Sequence, residues 1–206
     1  MLDRWTIQWL RPPLTSCAKF LSRKGAGPDQ VTICGFILGL CAIPALAMNC
    51  YIIALIFIIL NRVADGIDGA LARITQSTDA GGFLDIVLDF IFYSGVIFGF
   101  ALADIESNAL AAAALIFSFV GTGSSFLAYA IMAEKRRLVS ITYPHKGFYY
   151  LGGLAEGTET VTFFVIICLW PVSFPTLAWC FAAICCLTTL TRIWGGYRTL
   201  RDDEST

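Results

Sequence analysis

The chain has 206 residues, 57% of them hydrophobic and only 14% charged. Soluble domains average roughly 45–50% apolar and about 25% charged, so an ordinary cytosolic globule is excluded. With 14 Lys and Arg against 15 Asp and Glu, neither a basic nucleic-acid binder nor an acidic disordered tail fits. Six membrane helices of about 20 residues would occupy about 120 positions. One polytopic membrane domain over 1–206 therefore fits the length, with no room for a separate soluble domain.

The first segment, 1–24, is not a span. Leu2, Trp5, Trp9 and Leu10 recur at helical spacing, Pro12 and Pro13 interrupt, and Leu14, Cys17, Phe20 and Leu21 resume. Arg4, Arg11, Lys19, Arg23 and Lys24 are interleaved with them, which predicts an amphipathic helix, or two short ones, lying among lipid headgroups. No apolar signal-peptide core precedes it, so this segment is expected to stay uncleaved. The eight cysteines sit mostly inside apolar runs, without a CxxC, and read as small hydrophobes.

Six apolar stretches follow, at about 31–50, 51–73, 82–103, 109–132, 153–173 and 176–196. They predict an all-α integral membrane protein, with a six-span core over 25–200 and a short tail over 201–206. Small-xxx-small pairs at Gly35/Gly39, Gly95/Gly99 and Gly153/Gly157 allow close helix contact. In the six-span layout all 14 basic residues fall on one side and the opposite loops have none. The positive-inside rule then places both termini in the cytoplasm.

The second span begins with ten apolar residues, Tyr51 to Leu60, about 15 Å of helix against a hydrocarbon core of about 30 Å. The helix must continue through Asn61, Arg62, Asp65 and Asp68 within or near the membrane. The third span mirrors it, with Asp85 and Asp89 ahead of an apolar run. A carboxylate at membrane depth costs roughly 2.5 kcal/mol or more, so four need partners or a water-filled cavity. Asp65/Asp68 are spaced i,i+3 and Asp85/Asp89 i,i+4, so each pair shares a helix face. An antiparallel hairpin through 75–80 brings those faces together.

Clustered carboxylates repel one another unless cations are bound. All-oxygen ligands suit Mg²⁺, Mn²⁺ or Ca²⁺, and two ions sharing bridging carboxylates would neutralise the group. Gly66, Gly69, Gly81 and Gly82 clear side chains from the neighbourhood, and Arg73 offers a bidentate phosphate grip. Carboxylates, metals, glycine clearance and arginine together describe a diphosphate site. Solvated loop acids do not fit the apolar flanks, and an EF-hand fails because Gln76 stands twelfth from Asp65. A cation-coupled transporter stays open but would need polar residues continuing across the third span, where Phe90, Phe92 and Phe98 stand instead.

The run Asp65-Gly-Ile-Asp68-Gly69-Ala-Leu-Ala72-Arg73, then Gly81, Asp85 and Asp89, resembles the signature of the CDP-alcohol phosphotransferases at all eight defining positions. The similarity extends to the N-terminal helix, the six spans and the Pro28-x-x-Val31-Thr32 entry to the first of them. It reaches uncharacterised bacterial inner-membrane members of the family. The resemblance implies that an acceptor hydroxyl displaces CMP from a CDP-linked lipid, usually CDP-diacylglycerol, at an active site on the cytoplasmic side. It implies two divalent ions, Mg²⁺ or Mn²⁺, on Asp65, Asp68, Asp85 and Asp89, with Asp89 as general base. Gly69, Ala72, Arg73 and Gly81 are the implied CDP contacts, joined by Thr32 and by Asp29 where the family often has Asn. A homodimer is implied too.

The acceptor is less legible. Lys146 and Arg192, with Arg136 and Arg137, are candidates for an acceptor phosphate, although positive-inside anchoring explains the last two equally. Thr188, Thr189, Thr191 and Arg192 form a polar patch ahead of the tail. Glu156 and Glu159 would oppose a phosphate but suit an amine or sugar hydroxyls, or they pair with Arg62 or Arg192. The expected acceptor is a small polar alcohol other than simple glycerol 3-phosphate. A family member that binds CDP-lipid without turnover is the alternative from a different class.

Overall fold

The computed structural model describes residues 3–136 and 153–202, with side chains over 11–136 and 153–201. Among them there are eight α-helices and no strand: α1 (Asp3–Arg23), α2 (Pro28–Leu40), α3 (Ala42–Ala47), α4 (Tyr51–Ile74), α5 (Asp79–Ala103), α6 (Ile105–Lys135), α7 (Gly157–Leu169) and α8 (Phe174–Asp202). Each predicted apolar stretch corresponds to a helix or a helix pair.

α1 runs unbroken through Pro12 and Pro13, where the sequence predicts an interruption. Packing overrides the local preference: Leu14 lies on Gly66, and Ala18 is buried against Ala70 and Leu71 of α4. The helix stops at Gly25, whose φ of 78° is the left-handed cap glycine supplies without strain. Ala26 N–H reaches Leu21 C=O and Gly25 N–H reaches Ser22 C=O, satisfying the last carbonyls. Pro28 then opens α2, with the Gln30 side chain accepting from Gly27 N–H at 3.2 Å.

The first apolar stretch is not one straight helix. Pro44 has no N–H to offer Leu40 C=O, and the chain tightens at Cys41, whose N–H turns back to Leu38 C=O. Among the described residues, four segments are long and apolar enough to cross a membrane: Pro28–Ala47, Asp79–Ala103, Ile105–Lys135 and Pro171–Arg201. α4 has the length, 24 residues, but its second half carries Asn61, Arg62, Asp65, Asp68 and Arg73. α7 has only 13 residues, about 20 Å, because 153–156 is not helical and Pro171 follows its end.

The core is aromatic. Phe100 stacks on Phe174 at 4.7 Å, Phe163 stacks on Phe181 at 4.6 Å, and Phe92 meets Phe164 edge-on. α2 and α4 approach so closely that a Cβ on Gly35 would stand 2.5 Å from that of Ala64. Outward faces carry large apolar side chains, such as Ile52 and Ile56 on α4, Phe117 and Val120 on α6, and Leu190 and Trp194 on α8. Exposed apolar faces of this kind suit a lipid environment.

Candidate active site

The second half of α4 and the first half of α5 lie antiparallel across the turn at 75–78, with α2 packed on both. Asp65, Asp68 and Asp85 each bring a carboxylate oxygen to within 4.8 Å of the others. Their cleft is also lined by Thr32, Gly35 and Phe36 of α2 and by Asn61, Arg62, Leu88 and Asp89. Asp68 is 5% exposed, and its Oδ2 is buried with no hydrogen-bond partner. An orphaned buried carboxylate oxygen among two further carboxylates is a costly arrangement that a hard cation would resolve. The residues present fit a divalent metal of the Mg²⁺ or Mn²⁺ class.

Asp89 stands at the same cleft but is engaged differently. Its Oδ1 accepts from Arg62 Nη2 at 2.6 Å. Arg62 also donates from Nη1 to the Tyr93 hydroxyl at 2.9 Å and from Nε and Nη2 to Asn61 Oδ1 at 2.8 and 2.5 Å. Nη1 lies 3.7 Å from Asp65 Oδ2. The guanidinium sits over the rings of Phe92 and Tyr93. Asn61 is itself fixed, its Nδ2 donating to Gly35 C=O at 3.0 Å. The sequence marks Arg62 as a charge near the cluster but not its partners, which come from α2 and α5. Its ion pairs are with Asp65 and Asp89, so neither Glu156 nor Glu159 pairs with it.

Of the residues expected at a nucleotide, Thr32 is in the lining of this cleft, and Asp29, Gly69, Ala72, Arg73 and Gly81 are not. The Thr32 hydroxyl donates to Pro28 C=O at 3.1 Å. Gly69 and Arg73 are neighbours: a Cβ on Gly69 would stand 3.5 Å from Arg73 Nη1. Gly81 and Asp29 are neighbours too, and a Cβ on Gly81 would meet Asp29 Oδ1 at 2.8 Å. Gly81 N–H is held by Thr78 Oγ1, the N-cap of α5. Ala72 is half-buried one helical turn beyond Asp68.

A second cavity, about 180 Å³, opens on the other side of Tyr93. It is walled by Phe90 and Tyr93 of α5, Thr122 and Phe126 of α6, Glu156 and Thr160 around the start of α7, and Arg192 of α8. Arg192 is 7% exposed, donates from Nη1 to Thr122 C=O at 3.1 Å and lies over the Phe126 ring. Glu156 is 9% exposed, and its Oε1 accepts from Gly153 N–H at 3.0 Å. Of the expected acceptor residues, Glu156 and Arg192 reach this cavity. Glu159 stands on α7 but not in the cavity wall, and Lys146, with Arg137, falls outside the described residues. Arg136 donates to Leu200 C=O, tying the ends of α6 and α8. Thr188, part of the polar patch read from the sequence, is fully buried and accepts from the N–H groups of Leu154 and Ala155. It anchors the segment that carries Glu156.

Residues 26–194 match the family model described as CDP-alcohol phosphatidyltransferase. The chain is 54% identical over 201 residues to inner membrane protein YnjF of Escherichia coli, covering 98% of each. It is 28% identical over 171 residues to archaetidylinositol phosphate synthase of Pyrococcus horikoshii, covering 78% of this chain and 87% of that one. The fold aligns at a TM-score of 0.69 and 22% identity with Mycobacterium tuberculosis phosphatidylinositol phosphate synthase, PgsA1, in complex with manganese and citrate. That alignment covers 89% of this chain and 88% of the other. Against the same enzyme with CDP-DAG bound the TM-score is 0.65 at 21% identity, covering 89% and 93%. The chain therefore belongs to the CDP-alcohol phosphatidyltransferase family, whose members are phosphatidyl-transferring enzymes of phospholipid biosynthesis.

Proposed function

We propose that this protein transfers a phosphatidyl group from CDP-diacylglycerol to the hydroxyl of a small polar acceptor and releases CMP. The observation that carries the reading is the convergence of Asp65, Asp68 and Asp85 on one cleft, with Asp89 beside them. Asp65, Asp68 and Asp85 would hold Mg²⁺ or Mn²⁺, with Asp89 contributing to a second ion. When bound, the metal polarises the bridging phosphate and stabilises the leaving phosphate oxygen. Asp89 takes the acceptor hydroxyl's proton as that oxygen attacks phosphorus in line with the departing CMP. Arg62 fixes which Asp89 oxygen faces the cleft. Arg73, with Gly69, Ala72 and Gly81 leaving room for the nucleotide, grips the CDP portion, and Thr32 and Asp29 close the side formed by α2.

The acceptor enters through the cavity behind Tyr93, where Arg192 and Glu156 read it; Glu159 and Lys146 remain candidate acceptor contacts from the sequence. The opposite signs of Arg192 and Glu156 support an acceptor other than glycerol 3-phosphate alone. Around this site the chain is one membrane domain: an interfacial α1 within 1–24, a six-span core over 25–200 and a tail over 201–206. α4 and the short α7 are the two spans that composition alone underrates. The basic residues at one end of this layout support cytoplasmic termini and a cytoplasmic active site in the inner membrane. A homodimer is part of the same reading.

The test supplies purified protein with CDP-diacylglycerol and Mg²⁺ or Mn²⁺ and screens polar alcohols for CMP release. Release with one acceptor, abolished by a chelator, is the expected result. Tight CDP binding with no release for any acceptor would replace transfer with lipid-nucleotide binding, and metal-dependent ion flux would replace it with transport. Efficient formation of phosphatidylglycerol phosphate would overturn the acceptor assignment.

A further inference from the structure

We infer that Arg62 acts as a built-in counter-cation that orders metal loading: one divalent ion binds Asp65, Asp68 and Asp85 alone, and the second binds only with the diphosphate. The inference rests on the metal reading of the cluster given above. Three carboxylates can offer one oxygen each to a common centre, while Asp89 is outside that set and already holds a cation, the Arg62 guanidinium at 2.6 Å. That cation is not free to swing away. Its donors are committed to Asn61, Tyr93 and Asp89, two rings flank it, and its side chain is 12% exposed. Asn61, its principal acceptor, is locked in turn to the backbone of α2.

Charge then decides the order. With the four carboxylates ionised, Arg62 reduces the cluster's negative charge from four to three. The first divalent ion leaves a single negative charge. A second ion would make the site net positive beside an immobile arginine, and like charges at this range repel strongly in a partly buried site. A doubly negative diphosphate removes that obstacle, so nucleotide and second ion enter together.

The test is a Mn²⁺ titration of detergent-purified protein, with free Mn²⁺ read from its paramagnetic resonance signal, with and without CDP. The wild type is expected to bind one ion tightly without CDP and two with it. Arg62→Gln is expected to bind two without CDP, the second roughly tenfold or more tighter than in the wild type. Arg62→Lys keeps the charge but not the fork and should return to one, which a merely structural role would not produce. Two tight ions in the CDP-free wild type, or a single ion in a folded Arg62→Gln variant, would overturn the inference. If Arg62→Gln does not fold, the wild-type comparison with and without CDP decides alone. No Mn²⁺ binding by the wild type under either condition would instead remove the metal reading itself.

Discussion

The carboxylate cleft and the cavity lined by Tyr93 are built in opposite ways. The carboxylate cleft comes from one local hairpin: α4, a short turn and α5, with every acid within 24 positions of the next region it meets. The cavity behind it needs four successive helices, α5 to α8, with Glu156 and Arg192 36 positions apart in sequence and brought to one wall by their packing. The first is rich in charge and lined on one side by α2. The second is mainly aromatic, with one buried charge of each sign. On the proposed reading the difference is a division of labour: the cleft would hold groups common to every donor diphosphate, and the cavity those free to vary with the acceptor.

The largest effect that separates the two regions is on turnover. Asp89→Asn should leave CDP and Mn²⁺ binding measurable while CMP release falls by about 10²- to 10⁴-fold. Near-normal release by that variant would sink the base assignment. Next comes acceptor selection. Arg192→Gln should raise the acceptor KM roughly 10- to 100-fold, as loss of a charged hydrogen bond does, with the KM for CDP-lipid unchanged. An equal rise in both would mean that the two cavities are not functionally distinct.

A smaller effect concerns the frame behind the cleft. Gly35→Leu forces α2 off Ala64 and is expected to cost about 1–3 kcal/mol, read as a lower unfolding temperature in detergent. Gly157→Ala, with nothing within 4 Å of the added methyl, should leave that temperature nearly unchanged. The smallest effect lies at the far end of the molecule. Asp104 caps α6 by accepting from Ser107 N–H at 3.1 Å, which holds its carboxyl below the ordinary range. A depressed carboxyl stabilises the fold above its unfolded value and loses that contribution as pH falls through the folded one. Asp104→Asn should therefore flatten the stability profile in acid without altering the activity of either cavity at neutral pH.

The cleft was legible because its chemistry obeys helical periodicity. An i,i+3 pair, a glycine-flanked turn and an i,i+4 pair can be placed without knowing any tertiary contact. Arg62 was visible only as a nearby charge, because Asn61, Tyr93 and Asp89 meet it through packing that no local pattern encodes. Pro12 and Pro13 misled for the same reason: the intrinsic preference is to interrupt, and the seam of α1 on Gly66 and Ala70 overrides it. Thr188 read as part of a polar patch and proved to be a buried anchor, since a hydroxyl that accepts two backbone N–H groups has the same sequence signature as one facing a ligand. The break at Cys41 was written in Pro44, three residues further on.

The seat of α1 has a consequence for how the molecule is assembled. Leu14 and Ala18 find their partners only after Gly66 and Ala70 of α4 have been synthesised, so α1 is made before the helix that covers this part of its apolar stripe. On the proposed interfacial reading of α1, lipid headgroups and the acyl boundary would be its host during that interval. Its alternation of leucine and alanine with arginine and lysine thus serves two successive environments. On that reading, the face that would first lie on the bilayer later closes over the helix bearing Asp65 and Asp68.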